Sequence, residues 1–154
     1  MTRSKSRALL LLGAGCLAGG AAPAADTGGA AVFAGRCAVC HGPQAAGVPG
    51  TFPSLHEQVV GFAKTEAGRD YLVMVVSTGL MGQLEVAGVK YNNVMPAQSG
   101  LTETDVAAVL NYLASDLGKN ELGSAALDAD AVKAARARHP DNSSQATRAL
   151  RPGG

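Results

Sequence analysis

The sequence predicts an all-α fold of three to four short helices and one small β-hairpin, wrapped around something other than its own side chains. Three observations carry this expectation. Helical periodicity comes in short blocks separated by loops rich in Gly and Pro. Residues 83–91, QLEV-AG-VKY, alternate about a glycine turn. The 154 residues include twenty Gly but only three Phe, three Tyr and no Trp, too few large side chains to fill a core unaided.

The N-terminus does not belong to that fold. Arg3, Lys5 and Arg7 precede an apolar run from Ala8 to Gly20, and Ala22-Pro23-Ala24 places small residues at a cleavage site. This is the three-part pattern of a secretory signal peptide, assigned to residues 1–24. An uncleaved anchor is the weaker reading, because the run is short and glycine-rich. Lipidation at Cys16 is weaker still, since Gly13 stands where a lipoprotein site has Leu. Cleavage removes Cys16 and leaves Cys37 and Cys40 in an oxidising compartment, the periplasm.

The elements follow in order. Residues 29–36, GAAVFAGR, form a short helix ending at the CAVCH run. Residues 42–53 carry three Gly and three Pro and form a loop. Residues 66–78 put Tyr71, Leu72, Val75 and Val76 on one helical face, and Gly79 stops the helix. The hairpin at 83–91 leads into a loop, NNVMPAQSG, at 92–100. Thr102 and Asp105 form a capping box for a helix whose stripe is Val106, Val109, Leu110, Leu113 and Leu117, ended by Gly118. The main domain therefore spans residues 25–120 and an extension spans 121–154. In the extension, 128–138 reads as an amphipathic helix and the last dozen residues read as disordered. Leu127, Val132 and Ala135 either fold back on the domain or form a partner contact.

The chemistry concentrates in Cys37-Ala-Val-Cys40-His41. Zinc needs four ligands, and the mature chain has no second Cys pair. A thioredoxin-like dithiol needs a βαβ context, and this region reads as helix then loop. Covalent c-type haem fits: two thiols three apart lie on one helical face, as attachment to two vinyl groups requires, and His41 follows as the iron ligand. The signal peptide strengthens that reading, because this attachment follows export. Candidates for a sixth ligand are Met74, Met81, Met95, His56 and His139. Met74 lies mid-helix in an apolar run and reads as core. Met81 follows a helix end, His56 reads as an ordinary hydrogen-bonding residue, and His139 reads as solvent-exposed in the tail. Met95 sits in a loop outside any helical stripe, stiffened by Pro96, and is the preferred ligand.

Residues 29–117 resemble the monohaem class I c-type cytochromes. Gly29 and Phe33 match a Gly and an aromatic before the haem motif, and Tyr112 matches the aromatic of the final helix that crosses them. Pro53-Ser54-Leu55 matches a Pro-x-Leu segment after the haem histidine, and Tyr91 to Pro96 matches a Tyr…Met-Pro segment. GLMGQLEVAGVKYNNVMP looks like bacterial members linked to quinoprotein dehydrogenases or terminal oxidases. The resemblance implies the cytochrome c fold around one covalent haem c. It implies that the Pro53 carbonyl accepts from His41, that Leu55 packs on the haem, and that His41 and Met95 are the iron ligands.

A six-coordinate haem leaves no open position, so the expected function is a periplasmic one-electron carrier rather than an enzyme. The alternatives are a haem subunit of a dehydrogenase complex and a haem enzyme or sensor with a labile sixth ligand. Partners are expected to be a redox donor and acceptor that dock transiently at the haem edge, with membrane contact only through them. The flanking loops 42–49 and 96–100 are nearly uncharged, which implies an apolar docking patch. No small-molecule substrate is expected. Residues 26–120 hold five Lys and Arg against eight Asp and Glu, a balance of −3, which argues against nucleic acid.

Overall fold

The computed structural model describes residues 27–119 and 122–153. The signal peptide and Cys16 lie outside the described residues. The first helix, α1 (Thr27–Val32), runs on through a π-helical turn (Phe33–Cys37) into α2 (Ala38–His41). The expected stop before the motif does not occur, because nothing between Phe33 and His41 breaks a helix. Gly42 at φ +76° ends it, immediately before Pro43.

Residues 56–63, to which the sequence pattern assigns no element, form α3 (His56–Ala63), which buries Val59 and Ala63. Its apolar face, Val59, Phe62 and Ala63, spans little more than one turn, and Gly61 lowers the helix propensity of so short a run, so the sequence signal is weak. The helix α4 (Glu66–Thr78) has the expected bounds, with the Thr65 hydroxyl accepting from Gly68 N–H and Gly79 at φ +77° closing the end. The strands β1 (Leu84–Val86) and β2 (Val89–Tyr91) pair antiparallel with Leu84 opposite Tyr91. Ala87 and Gly88 both take positive φ, 49° and 78°, the turn that matches hairpin twist.

The capping box forms at α5 (Glu103–Tyr112): Thr102 N–H donates to Asp105 Oδ2 at 2.9 Å and Asp105 N–H returns to Thr102 Oγ1 at 3.2 Å. A π-helical turn (Leu113–Leu117) carries α5 to Gly118. Across it, α1 packs on α5, with Gly29 buried and the Phe33 and Tyr112 rings 5.8 Å apart. Phe33, Val59, Leu72, Val73, Val106, Val109 and Leu113 form the centre of the core.

The extension folds back onto this core. The helix α6 (Ala129–Arg138) is capped by Asp128 and packs on α4 and α5, burying Val132 and Ala135 almost completely. Those two side chains are therefore not free to meet a partner. Asn111 on α5 clasps Leu127 with two hydrogen bonds of 2.8 and 2.9 Å. The residues expected to be disordered contain α7 (Ser144–Ala149), capped by Ser143 and packed on α4. His139, expected to face solvent, is half-buried and contacts Asp70 at 3.0 Å, while Arg138 forks onto the same carboxylate at 2.8 and 2.6 Å. Arg136 pairs with Glu103 at 2.7 Å, and Thr147 meets Thr78 hydroxyl to hydroxyl at 2.6 Å. These polar residues look disordered in sequence because their partners lie about sixty or more positions away on α4, or on α5.

The hydrogen bonds from Arg138, against the opposing cost of burial, hold the Asp70 carboxyl below its ordinary value of 3.8. A depressed native value means that Asp70 stabilises the fold fully above its unfolded value, and that this contribution is lost as pH falls through the native one. Asp70→Asn is expected to cost about 1–3 kcal/mol at neutral pH. It should also flatten the acid limb of the stability profile below about pH 4. Denaturant titrations of both proteins across pH measure this, and parallel acid limbs would contradict it.

Candidate cofactor site

A cavity of about 390 Å³ opens between α2, α3, α4 and the segment 91–98. Leu55, Val59, Phe62, Leu72, Val76 and Leu110 are among its apolar walls. Arg36 is the one charged side chain on the wall among the described residues. Cys37, Cys40, His41, Pro53, Leu55 and Met95 all border it, so the structure brings every expected site residue to one space.

Each is positioned by local backbone chemistry. Cys37 and Cys40 stand one helical turn apart, both unpaired and half-buried. Burial, and then the neighbouring Cys40, push the Cys37 thiol above its ordinary value of 9.0. It is held as a neutral thiol. Among the described residues no three His, Cys, Asp or Glu side chains converge as a metal cage.

His41 is 7% exposed, and its Nδ1–H donates to the Pro53 carbonyl at 2.9 Å. Burial lowers its basicity and the Pro53 bond restores part of it. The imidazole is thus neutral, with the proton on Nδ1 and the Nε2 lone pair free to ligate. The loop that delivers Pro53 depends on Gly47, at φ +71°, whose N–H donates to the His41 carbonyl at 2.8 Å. A Cβ at position 47 would lie 2.4 Å from the Phe52 carbonyl oxygen. His56 stays out of the cavity wall and meets the Gln44 carbonyl through Nε2. With a carbonyl as partner, that nitrogen is the donor.

Met95 approaches from the segment after the hairpin. Its N–H and C=O both pair with Leu80, each at 2.9 Å, just beyond the end of α4. Gln98 N–H reaches the Val76 carbonyl at 2.9 Å, and Asn93 Nδ2 reaches the Thr51 carbonyl at 2.9 Å. Gly79 makes the approach feasible: a Cβ there would sit 2.4 Å from the Met95 carbonyl oxygen. Met74 is fully buried on α4 away from the cavity wall, and Met81 is 55% exposed. Gly47, Gly79 and Asn93 were not identified from sequence. Gly79 looked like a helix stop alone, and nothing local signals that a second strand of chain passes over it.

The donor set fits a covalently held haem. It has two unpaired thiols on one turn, an imidazole with its second nitrogen already satisfied, a thioether on another segment and apolar walls. The chain belongs to the cytochrome c family, matching it over residues 27–116. It is thus a class I c-type cytochrome, an electron-transfer protein that carries haem c and exchanges electrons with redox partners. Among its relatives, a cytochrome c-552 of one Thermus thermophilus strain is 42% identical over 133 residues, covering 85% of this chain and 84% of that one. A second cytochrome c-552 of Thermus thermophilus is 42% identical over 112 residues, covering 71% and 85%. The first match spans so much of the chain that, whichever end it omits, it passes residue 116 into the extension. The extension therefore has a counterpart in at least one relative.

Gly79→Ala is expected to destabilise the protein by roughly 2 kcal/mol or more, by combining a left-handed φ with a backbone clash. Gly88→Ala also has positive φ, +78°, but has open space around the added Cβ. It should cost about 1 kcal/mol. Chemical denaturation of the two variants compares them, and equal losses would show that the Met95 approach imposes no constraint.

Proposed function

We propose that the protein is a periplasmic one-electron carrier whose haem iron is held by His41 and Met95. The observation that carries this reading is that His41 and Met95 border the same cavity as the two attachment thiols. Bound there, haem supplies a one-electron iron couple. Cys37 and Cys40 anchor its edge. His41 offers Nε2, and the Pro53 carbonyl keeps the tautomer and ring direction fixed. Met95 closes the sixth position, which leaves nowhere for a substrate to bind. Leu55, Val59, Leu72 and Val76 keep water away, and this low polarity disfavours the more positive oxidised state. The N-terminal signal pattern supports export, and haem attachment by thiols suits that compartment.

The surface near the thiols supports docking by apolar contact. Val39 is 84% exposed, Val94 58% and Val48 50%. Val39 and Val94 also lie on the cavity wall. A partner would meet a small apolar patch with Arg36 at its margin, suited to brief encounters. Electron-transfer rates with such a partner should change little between low and moderate ionic strength, whereas a steep fall would indicate charge-steered docking.

Met95→Ala tests the ligand assignment. The ferric protein should lose its sulfur-to-iron charge-transfer band, become high-spin and bind CO when reduced, while Met81→Ala keeps the parent spectrum. A Met95→Ala protein with the parent low-spin spectrum would refute the assignment.

A further inference from the structure

Among the arginines of the extension, Arg136 has Glu103 and Arg138 has Asp70 as carboxylate partners. Arg148 is exposed to solvent. Arg151 is different. It is half-buried, and its Nη2 donates to two neutral acceptors, the Glu85 carbonyl at 3.1 Å and Gln58 Oε1 at 3.4 Å. Its guanidinium carbon lies 5.8 Å from the centre of the Phe62 ring. Its Nε is sealed from solvent and has no hydrogen-bond partner. Among the described residues, no carboxylate stands within ion-pair distance of it.

A guanidinium keeps its charge at every working pH, so one partly buried without a counter-ion is costly. What surrounds it indicates where the missing anion belongs. Gln58 and Phe62 both line the cofactor cavity, as does Tyr71, whose hydroxyl Arg151 also contacts. The cavity wall itself offers only Arg36 as a cation among the described residues, next to the attachment thiol Cys37. Haem c brings two propionate carboxylates into this apolar space, and a planar guanidinium fork is the side chain best matched to a carboxylate.

We propose that Arg151 is the counter-ion of a haem propionate, so that the end of the extension completes the cofactor pocket. This rests on the haem-site reading above. Phe62 and Tyr71 hold the guanidinium beside the cavity wall, where its outer nitrogens meet the propionate. The fixed positive charge keeps the propionate ionised and favours the reduced iron.

The holoprotein tests this with Arg151→Gln and Arg151→Lys. Arg151→Gln should lower the midpoint potential at neutral pH. It should also make the potential vary with pH between about 5 and 8, as the unpaired propionate titrates. Arg151→Lys, which keeps the charge, should recover most of the parent potential. Optical spectra taken alongside report the axial ligands, so a wrong ligand assignment shows separately from a wrong propionate partner. A parent potential and pH profile in Arg151→Gln would overturn the proposal and leave Arg151 a packing residue. The wild-type protein gives an independent measurement: the outer guanidinium protons of Arg151 should exchange slowly and show a nuclear Overhauser effect to propionate methylene protons. Absence of that effect would also overturn it.

Discussion

An apolar hollow that the chain does not fill is the constraint on which the rest of the structure depends. Protein interiors close-pack, and a void of about 390 Å³ in so small a domain would collapse unless something held its walls apart. Here the walls are held from outside. On one side α1 crosses α5 with Phe33 against Tyr112. On another, α4 is pinned between the hairpin segment and the extension. The scarcity of aromatic residues follows from the same constraint, because a macrocycle takes the place of large side chains.

Polar groups are sorted accordingly. The cavity wall carries one charged side chain, Arg36, a few uncharged polar ones and one neutral imidazole, whose proton is committed to Pro53. Charged pairs gather on the back of α4 and α5, where Asp70, Glu103, Arg136, Arg138 and His139 fasten the extension. That arrangement leaves the dielectric low around the iron site and gives the extension a structural role. With Val132 and Ala135 in the main core, the extension is part of the domain and not an appended tail.

What the sequence revealed was what neighbouring residues encode. The Cys37–His41 motif, the Thr102–Asp105 capping box, the bounds of α4 and the Ala87-Gly88 turn all depend on spacings of five residues or fewer. What it concealed depends on contacts between distant segments. Gly79 could be read as a helix stop but not as the floor under Met95. Asp141 to Arg151 read as polar and formless because Thr78, Gln58 and Glu85, their partners, cannot be matched to them by pattern. The helix α3 was missed because its burial comes from α4 and the turn after α5, not from a strong stripe of its own. Family resemblance supplied Pro53 and Leu55, whose roles no local spacing encodes.

The central claim is that the hollow holds a haem with His41 on one face and Met95 on the other. Proton magnetic resonance of the reduced, diamagnetic protein with methionine methyls selectively labelled tests it most directly. A methionine bound to the iron lies over the macrocycle, whose ring current shifts its methyl signal far upfield of the ordinary methyl region. The account predicts that this signal belongs to Met95 and vanishes when that residue alone is replaced. A Met95 methyl at an ordinary aliphatic position, or an upfield signal assigned to Met81 or Met74, would contradict it.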